Sequence, residues 1–196
     1  MSNFAALNPE TWSKETRPAC INYVDLSNTK WGRTEHVTAY WQETAPSRAQ
    51  RVLRLQDTIM GTVRSGNRSY AMISQENLTG STGFAVLRPS KPEFAEFVYL
   101  AATAPDNIER LAHLADGAAY PAVRPEVVEA TETVISSDEV LASFSRISCP
   151  LLVKIGANDR ESHILALLRD TLLPKLISGD LRVKDPERII AEATNG

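Results

Sequence analysis

Five arginines, Arg48, Arg51, Arg54, Arg64 and Arg68, fall within 21 residues that hold one acid, Asp57. Ser47, Ser65, Asn67, Ser69 and Tyr70 accompany them. A guanidinium can donate to both acceptors of a guanine edge and an asparagine amide can pair with adenine, while hydroxyls and cations hold phosphates. The chemistry on offer is base and phosphate recognition. A solvated arginine-rich hairpin is the competing account of the same residues. Arg64, Asn67, Arg68 and Tyr70 are the leading base-contact candidates, Ser47 and Arg48 the phosphate clamps. Thr79, Ser81 and Thr82 are weaker candidates from a second polar loop.

Patterns that would carry catalysis lack their working members. Gly61 and Gly66 have the spacing of a phosphate-binding loop, but Asn67-Arg68 stand where Lys-Ser/Thr is required. The run TGSTG at 79–83 brings its second glycine too close for a nucleophile elbow. His36, His113 and His163 fall in three different expected elements, with no H-E-x-x-H or paired carboxylates beside them. Neither a glycine-rich loop for S-adenosylmethionine nor an Asn/Asp-Pro-Pro-aromatic tetrapeptide is visible. The chain reads as non-catalytic, without a cofactor or metal of its own.

The elements that must position the arginines follow from periodicity and punctuation. Alternation marks a strand at 21–28, with a turn at 28–32. Further strands are expected at 52–55, 58–64, 70–74 and 83–87, with loops at 45–48, 65–68 and 79–82 and an end at Pro89 and Pro92. Helical spacing predicts helices over 94–104 and 106–114, a proline-punctuated structural loop with Tyr120 at 118–125, a short helix at 126–131 and a last strand at 133–136. Strands followed by segregated helices make an α+β fold.

From Ser137 the pattern changes to a nearly unbroken helix reaching about residue 173, its start marked by Asp138 and Glu139. Leu141, Phe144, Leu151, Ile155, Asn158, Leu165 and Leu172 recur at steps of three, four or seven, a coiled-coil-like seam. Pro150 and Gly156 predict a kink or a late start to the regular part, and Pro174 and Gly179 its close. Some 35 residues make a rod of about 50 Å. Such a stripe needs a partner helix, packed antiparallel. Asn158 either sets the register of that pairing or is exposed on a poorly defined seam.

The resulting organisation is a globular domain at 1–136, a spacer and pairing helix at 137–180 and a tail at 181–196. The length of 196 residues, 43% hydrophobic and 23% charged, suits one domain plus an extension. A net charge of −3 excludes a generally basic nucleic-acid binder but not a local basic face. Cys20 and Cys149 stand far apart and read as reduced thiols. The N-terminus lacks a basic region followed by an apolar run, and no apolar stretch approaches the roughly 18 residues of a membrane helix. A cytoplasmic protein without membrane contact is expected.

The run LRLQDTIMGTVRSGNRSYAMIS, then NLTGSTGFAVLRP, then FVYLAATAPDNIERLAHLADGAAYPAVRPEVV resembles the target-recognition domain of type I restriction-modification specificity subunits. The tail LLVKIGANDRESHILALLRDTLLPKLISGDLRV resembles the conserved helical region that follows such a domain, most specifically in LRDTLLPKLISG at 168–179. Together they cover roughly residues 15–185. Family members usually carry two such domains and two antiparallel helices that act as a ruler between half-sites. Methyltransferase subunits attach to that scaffold and bring S-adenosylmethionine and the adenine chemistry. One domain and one helix resemble half of such a subunit, most like its C-terminal half. The resemblance implies double-stranded DNA, methyltransferase and restriction subunits and a second half-subunit, in a homodimer, as partners. A structural adaptor that docks methyltransferase subunits without reading sequence is the alternative.

Overall fold

The computed structural model describes residues 1–13, 15–117 and 121–182. The chain separates into two compact units, Met1–Val153 and a second from Lys154 onward. That division falls inside the long helix. The expected tail lies outside the described residues from 183, as do residues 118–120 of the proline-punctuated loop with Tyr120.

The first unit is α+β. One antiparallel sheet has the order β1–β10–β7–β8, built from Ala5–Leu7, Phe84–Pro89, Thr58–Gly61 and Tyr70–Met72. A second sheet has the order β5–β2–β9–β6, built from Thr38–Trp41, Cys20–Val24, Leu78–Ser81 and Ala49–Leu53, with β2 and β9 parallel. Thr29–Lys30 (β3) and Arg33–Thr34 (β4) form a separate two-stranded ribbon. Helices α1 (Ala95–Thr103), α2 (Pro105–His113) and α3 (Pro125–Glu129) follow the strands.

Strand alternation divides the core into layers. Met60, Ala85 and Leu87 face the helices, where Phe94, Val98, Ile108, Leu111 and Val128 are buried with them. Ile59, Phe84 and Val86, on the opposite face of the same strands, meet Val24, Leu53 and Leu78 of the second sheet. Because both faces are covered, β7 is buried at every position. Strand β9 is likewise fully buried. The loop expected at 79–82 is therefore largely a central strand. Its small residues reflect close packing: a Cβ on Gly80 would lie 3.2 Å from Leu53. The strand expected at 133–136 is absent, and Val134 and Ile135 are exposed with no strand partner.

Helix α4 spans Asp138–Ser178, 41 residues and about 60 Å of axis. It is helical from Asp138, so no late start occurs, and it runs through Pro150 and Pro174. Gly179, at φ +79°, ends it instead of Pro174. The Gly179 N–H donates to the Leu176 carbonyl at 3.3 Å and the Leu181 N–H to Lys175 at 2.9 Å, which covers two terminal carbonyls. In the first unit, Leu141 is buried in the helix-side core and the Ser145 hydroxyl donates to buried Glu96 at 2.8 Å. By length and composition α4 is long and apolar enough to cross a membrane, a correction to the sequence-based expectation. The buried Leu141 and Ser148 show that one face of its first turns is a packing face.

Candidate nucleic-acid interface

The candidate contacts Arg64, Asn67 and Arg68 frame a 3-10 turn at Ser65–Asn67 between β7 and β8. Arg64 and Arg68 both adopt left-handed backbone, at φ 49° and 57°. Arg64 and Asn67 are exposed and Arg68 is half-buried. The turn is held from outside its own sequence: the Arg64 N–H donates to the Pro121 carbonyl at 2.7 Å, and a Cβ on Gly66 would meet Ala112 of α2 at 3.7 Å. The hydroxyls of Ser65 and Ser69 are turned inward. Both residues are buried, and Ser69 Oγ donates to the Leu26 carbonyl at 3.3 Å. Tyr70 is half-buried against the helix-side core and beside Gly32, so its ring supports this surface more than it extends from it.

Beside this turn lies the β3–β4 ribbon, which the sequence reading passed over as a simple turn. Trp31-Gly32 is its two-residue loop, with φ of 53° and 83°. Two positive φ values in succession match the twist of a tight hairpin. The Trp31 N–H donates to the Arg68 carbonyl and the Gly32 N–H to the Tyr70 carbonyl, both at 2.9 Å. The Trp31 side chain is exposed, and the Arg68 guanidinium carbon lies 4.4 Å from its ring centroid. Lys30 and Arg33 stand directly opposed at the base of the loop. The signal for this hairpin was present in Lys30-Trp31-Gly32-Arg33, cations around a glycine-containing pair.

Ser47 and Arg48 precede β6 and are exposed. Arg48 lies 3.6 Å from Asp25, whose carboxylate also accepts the Leu26 N–H at 2.6 Å. Half-buried Thr82 donates its backbone N–H to the Arg48 carbonyl at 2.8 Å. Leu26 packs near Gly61 and Gly83, so Asp25 and Leu26 link this second cation to the ribbon and the turn.

Other members of the expected set serve inside the fold. Thr79 is buried and its hydroxyl accepts from Trp12 Nε1 at 3.0 Å. Ser81 is buried and its hydroxyl accepts the Gly83 N–H at 3.2 Å. Neither side chain reaches a surface where DNA could meet it. Arg54 is paired with Glu10 at 2.8 Å, and Glu10 also binds Arg88. Arg88 in turn grips the fully buried Asp57 through two bonds of 2.9 and 2.8 Å. The Arg54 guanidinium hydrogen bonded to Glu10 holds that carboxyl below its ordinary range. Burial lowers Arg51 from the usual arginine value. Of the basic segment, Arg51 is half-buried, Arg54 is exposed but engaged by Glu10, and Arg48, Arg64 and Arg68 belong to the surface around the turn and the start of β6. Among the described residues no group of three or more His, Cys, Asp or Glu side chains could hold a metal ion.

The pairing seam is also revised. Leu141 belongs to the core of the first unit, only 2% exposed, and is removed from the seam. Phe144, Leu151, Ile155, Leu165 and Leu172 are exposed, as is Asn158. Val140 and Ile147, the latter 72% exposed, were missed. They continue the heptad spacing upward: Val140, Ile147, Leu151, Asn158, Leu165 and Leu172 recur at steps of seven and four.

No family model matches the sequence. Over 78 residues, 40% of the chain, it is 30% identical to the type I restriction enzyme MjaIX specificity subunit of Methanocaldococcus jannaschii, a stretch that makes up 18% of that protein. The HsdS subunit from Thermoanaerobacter tengcongensis is similar in structure, with a TM-score of 0.53 at 23% identity, over 87% of this chain and 44% of that one. A chain from a structure on complex assembly and conformational transition of the type I R-M system gives 0.52 at 22%, over 90% and 47%. The chain thus has the HsdS fold and resembles half of a type I specificity subunit; it spans less than half the length of these relatives.

Proposed function

We propose that this chain is a DNA-sequence-recognition half-subunit of a type I restriction-modification system, non-catalytic itself and acting on DNA in the cytoplasm. The observation that carries this is the joint match of domain and long helix to HsdS over 87% of the chain. The domain reads one half of a bipartite site. Arg64, Asn67 and Arg68 face the bases, and Ser47, Arg48 and Thr82 hold the flanking phosphates. Methyltransferase subunits bring S-adenosylmethionine, and restriction subunits complete the assembly. The exposed apolar line on α4 pairs with the same line on a second copy, antiparallel, so that two domains read a palindromic interrupted site.

The test is co-expression with the cognate methyltransferase subunit, followed by mapping of adenine methylation across a genome. Methylation confined to an interrupted palindrome is the expected result. Methylation dependent on the chain but without a sequence motif would instead make it an adaptor that docks the methyltransferase. No methylation with a correctly assembled complex would remove it from the modification reaction.

A further inference from the structure

The β3–β4 ribbon is built against its own stability. Trp31 is a bulky residue held at φ 53°, a region that disfavours any side chain with a Cβ. Its indole gains little from the core in return, since it is 63% exposed. Gly32, at φ 83°, is pressed so close to Tyr99 that a Cβ there would lie 2.6 Å from the phenol oxygen. Lys30 and Arg33 face each other across the ribbon, an arrangement of like charges that weakens strand pairing. Arg64 and Arg68, in the adjoining turn, are left-handed as well. Strained backbone of this kind persists where surrounding contacts over-determine it, and it clusters at binding sites. Here the over-determination is explicit: Trp31 and Gly32 each donate a backbone hydrogen bond to the β8 side, at Arg68 and Tyr70.

We infer that the β3–β4 ribbon enters the major groove of DNA and that Trp31 is a positioning residue for Arg68, holding that guanidinium to read a guanine. This rests on the DNA-recognition reading above and adds a residue and an element to it. A two-stranded ribbon is one of the elements the major groove admits, and an arginine paired with the O6 and N7 of guanine is its commonest specific contact. An arginine on a flexible stem loses side-chain freedom when it forms that pair. Stacking on an aromatic face restricts the guanidinium beforehand without blocking its in-plane N–H donors. The contact of the Arg68 guanidinium with the Trp31 ring face at 4.4 Å supplies that restriction. With the ribbon in the groove, Lys30 and Arg33 on either side of its loop would serve the bordering phosphates.

Selection of bound sequences from a random duplex library tests this with the purified full chain. The wild type is expected to enrich a motif containing an obligatory guanine. Arg68→Ala is expected to lose preference at that base pair by about tenfold or more. Trp31→Ala should weaken the same column, Trp31→Phe should retain most of it, and Trp31→Ala with Arg68→Ala should be no worse than Arg68→Ala alone. Trp31→Asn, which tolerates the left-handed backbone, should melt no lower than wild type and still weaken the column as Trp31→Ala does, separating recognition from folding. An unchanged guanine column in Trp31→Ala and Arg68→Ala overturns the inference while the recognition reading stands. Enrichment of no motif by the wild type overturns both.

Discussion

Asp57 shows how a charge in an apparently DNA-binding stretch can be structural. It is fully buried, accepts two bonds from Arg88 and caps the Arg54 N–H at 2.8 Å. Removing one partner from a buried pair leaves the other charge without compensation. Asp57→Ala is expected to destabilise the first unit by about 3–5 kcal/mol, read as a lower denaturant midpoint with unchanged slope. Arg54→Ala, at an exposed ion pair, should leave the denaturant midpoint nearly unchanged. Glu10 gives the same network a pH dependence. Its folded-state pKa is lowered, first by the hydrogen bond from Arg54 and then by Arg88, against the opposing effect of burial. Its contribution is therefore complete above the unfolded glutamate value of about 4.3 and is lost as pH falls from there through the lowered folded value. Melting temperatures of Glu10→Gln and wild type should converge as pH is taken below 4; parallel curves would show that Glu10 is uncoupled from folding.

At the scale of elements, α4 carries two prolines inside a single helix. Pro150 cannot donate to the Arg146 carbonyl, and its ring crowds that turn. It is exposed, so no packing compensates the loss. Pro150→Ala is expected to raise the thermal midpoint and the helical circular-dichroism signal, by up to about 3 kcal/mol of helix stability. A lowered midpoint would mean that the proline fits a bend the helix requires. Part of this architecture was legible beforehand: the three shorter helices, the long helix and, in whole or part, β2, β6, β7, β8 and β10 followed from periodicity and composition, while β1, β3, β4, β5 and β9 were not read as strands. What was missed has a common cause. Thr79, Gly80 and Ser81 are loop-like in composition, yet β9 uses their small size to fit between β2 and β6. Leu141 shares helical spacing with the seam, but spacing alone cannot say that the first turns of α4 have one side against the domain. Arg54 looked like part of a basic patch because Glu10 and Arg88, its structural companions, lie far away in sequence. Non-local pairing decides which arginines the fold already engages, and a local window does not contain it.

At the scale of the whole molecule, the proposed function requires one recognition surface to act as half of a bipartite reader. The net charge of −3 gives little general attraction for DNA, so on the proposed reading affinity would come from a few placed cations and from joining two weak sites. Pairing through α4 would do the joining, because a second half-site then binds at high effective concentration; such linkage contributes about 10²–10⁴ in avidity. Leu165 and Leu172 are exposed, so replacing them leaves the core of the first unit untouched. Leu165→Glu with Leu172→Glu is expected to convert a dimer to a monomer by light scattering at tens of micromolar. The domain should still melt at the wild-type temperature and still select a half-site. Affinity for the full palindrome should fall by about 10²-fold or more, to the level of the half-site alone, and spacing between half-sites should cease to matter. A wild-type chain already monomeric at that concentration, with the same spacing-independent binding, would refute α4 as the joint and require a different partner to supply the second half.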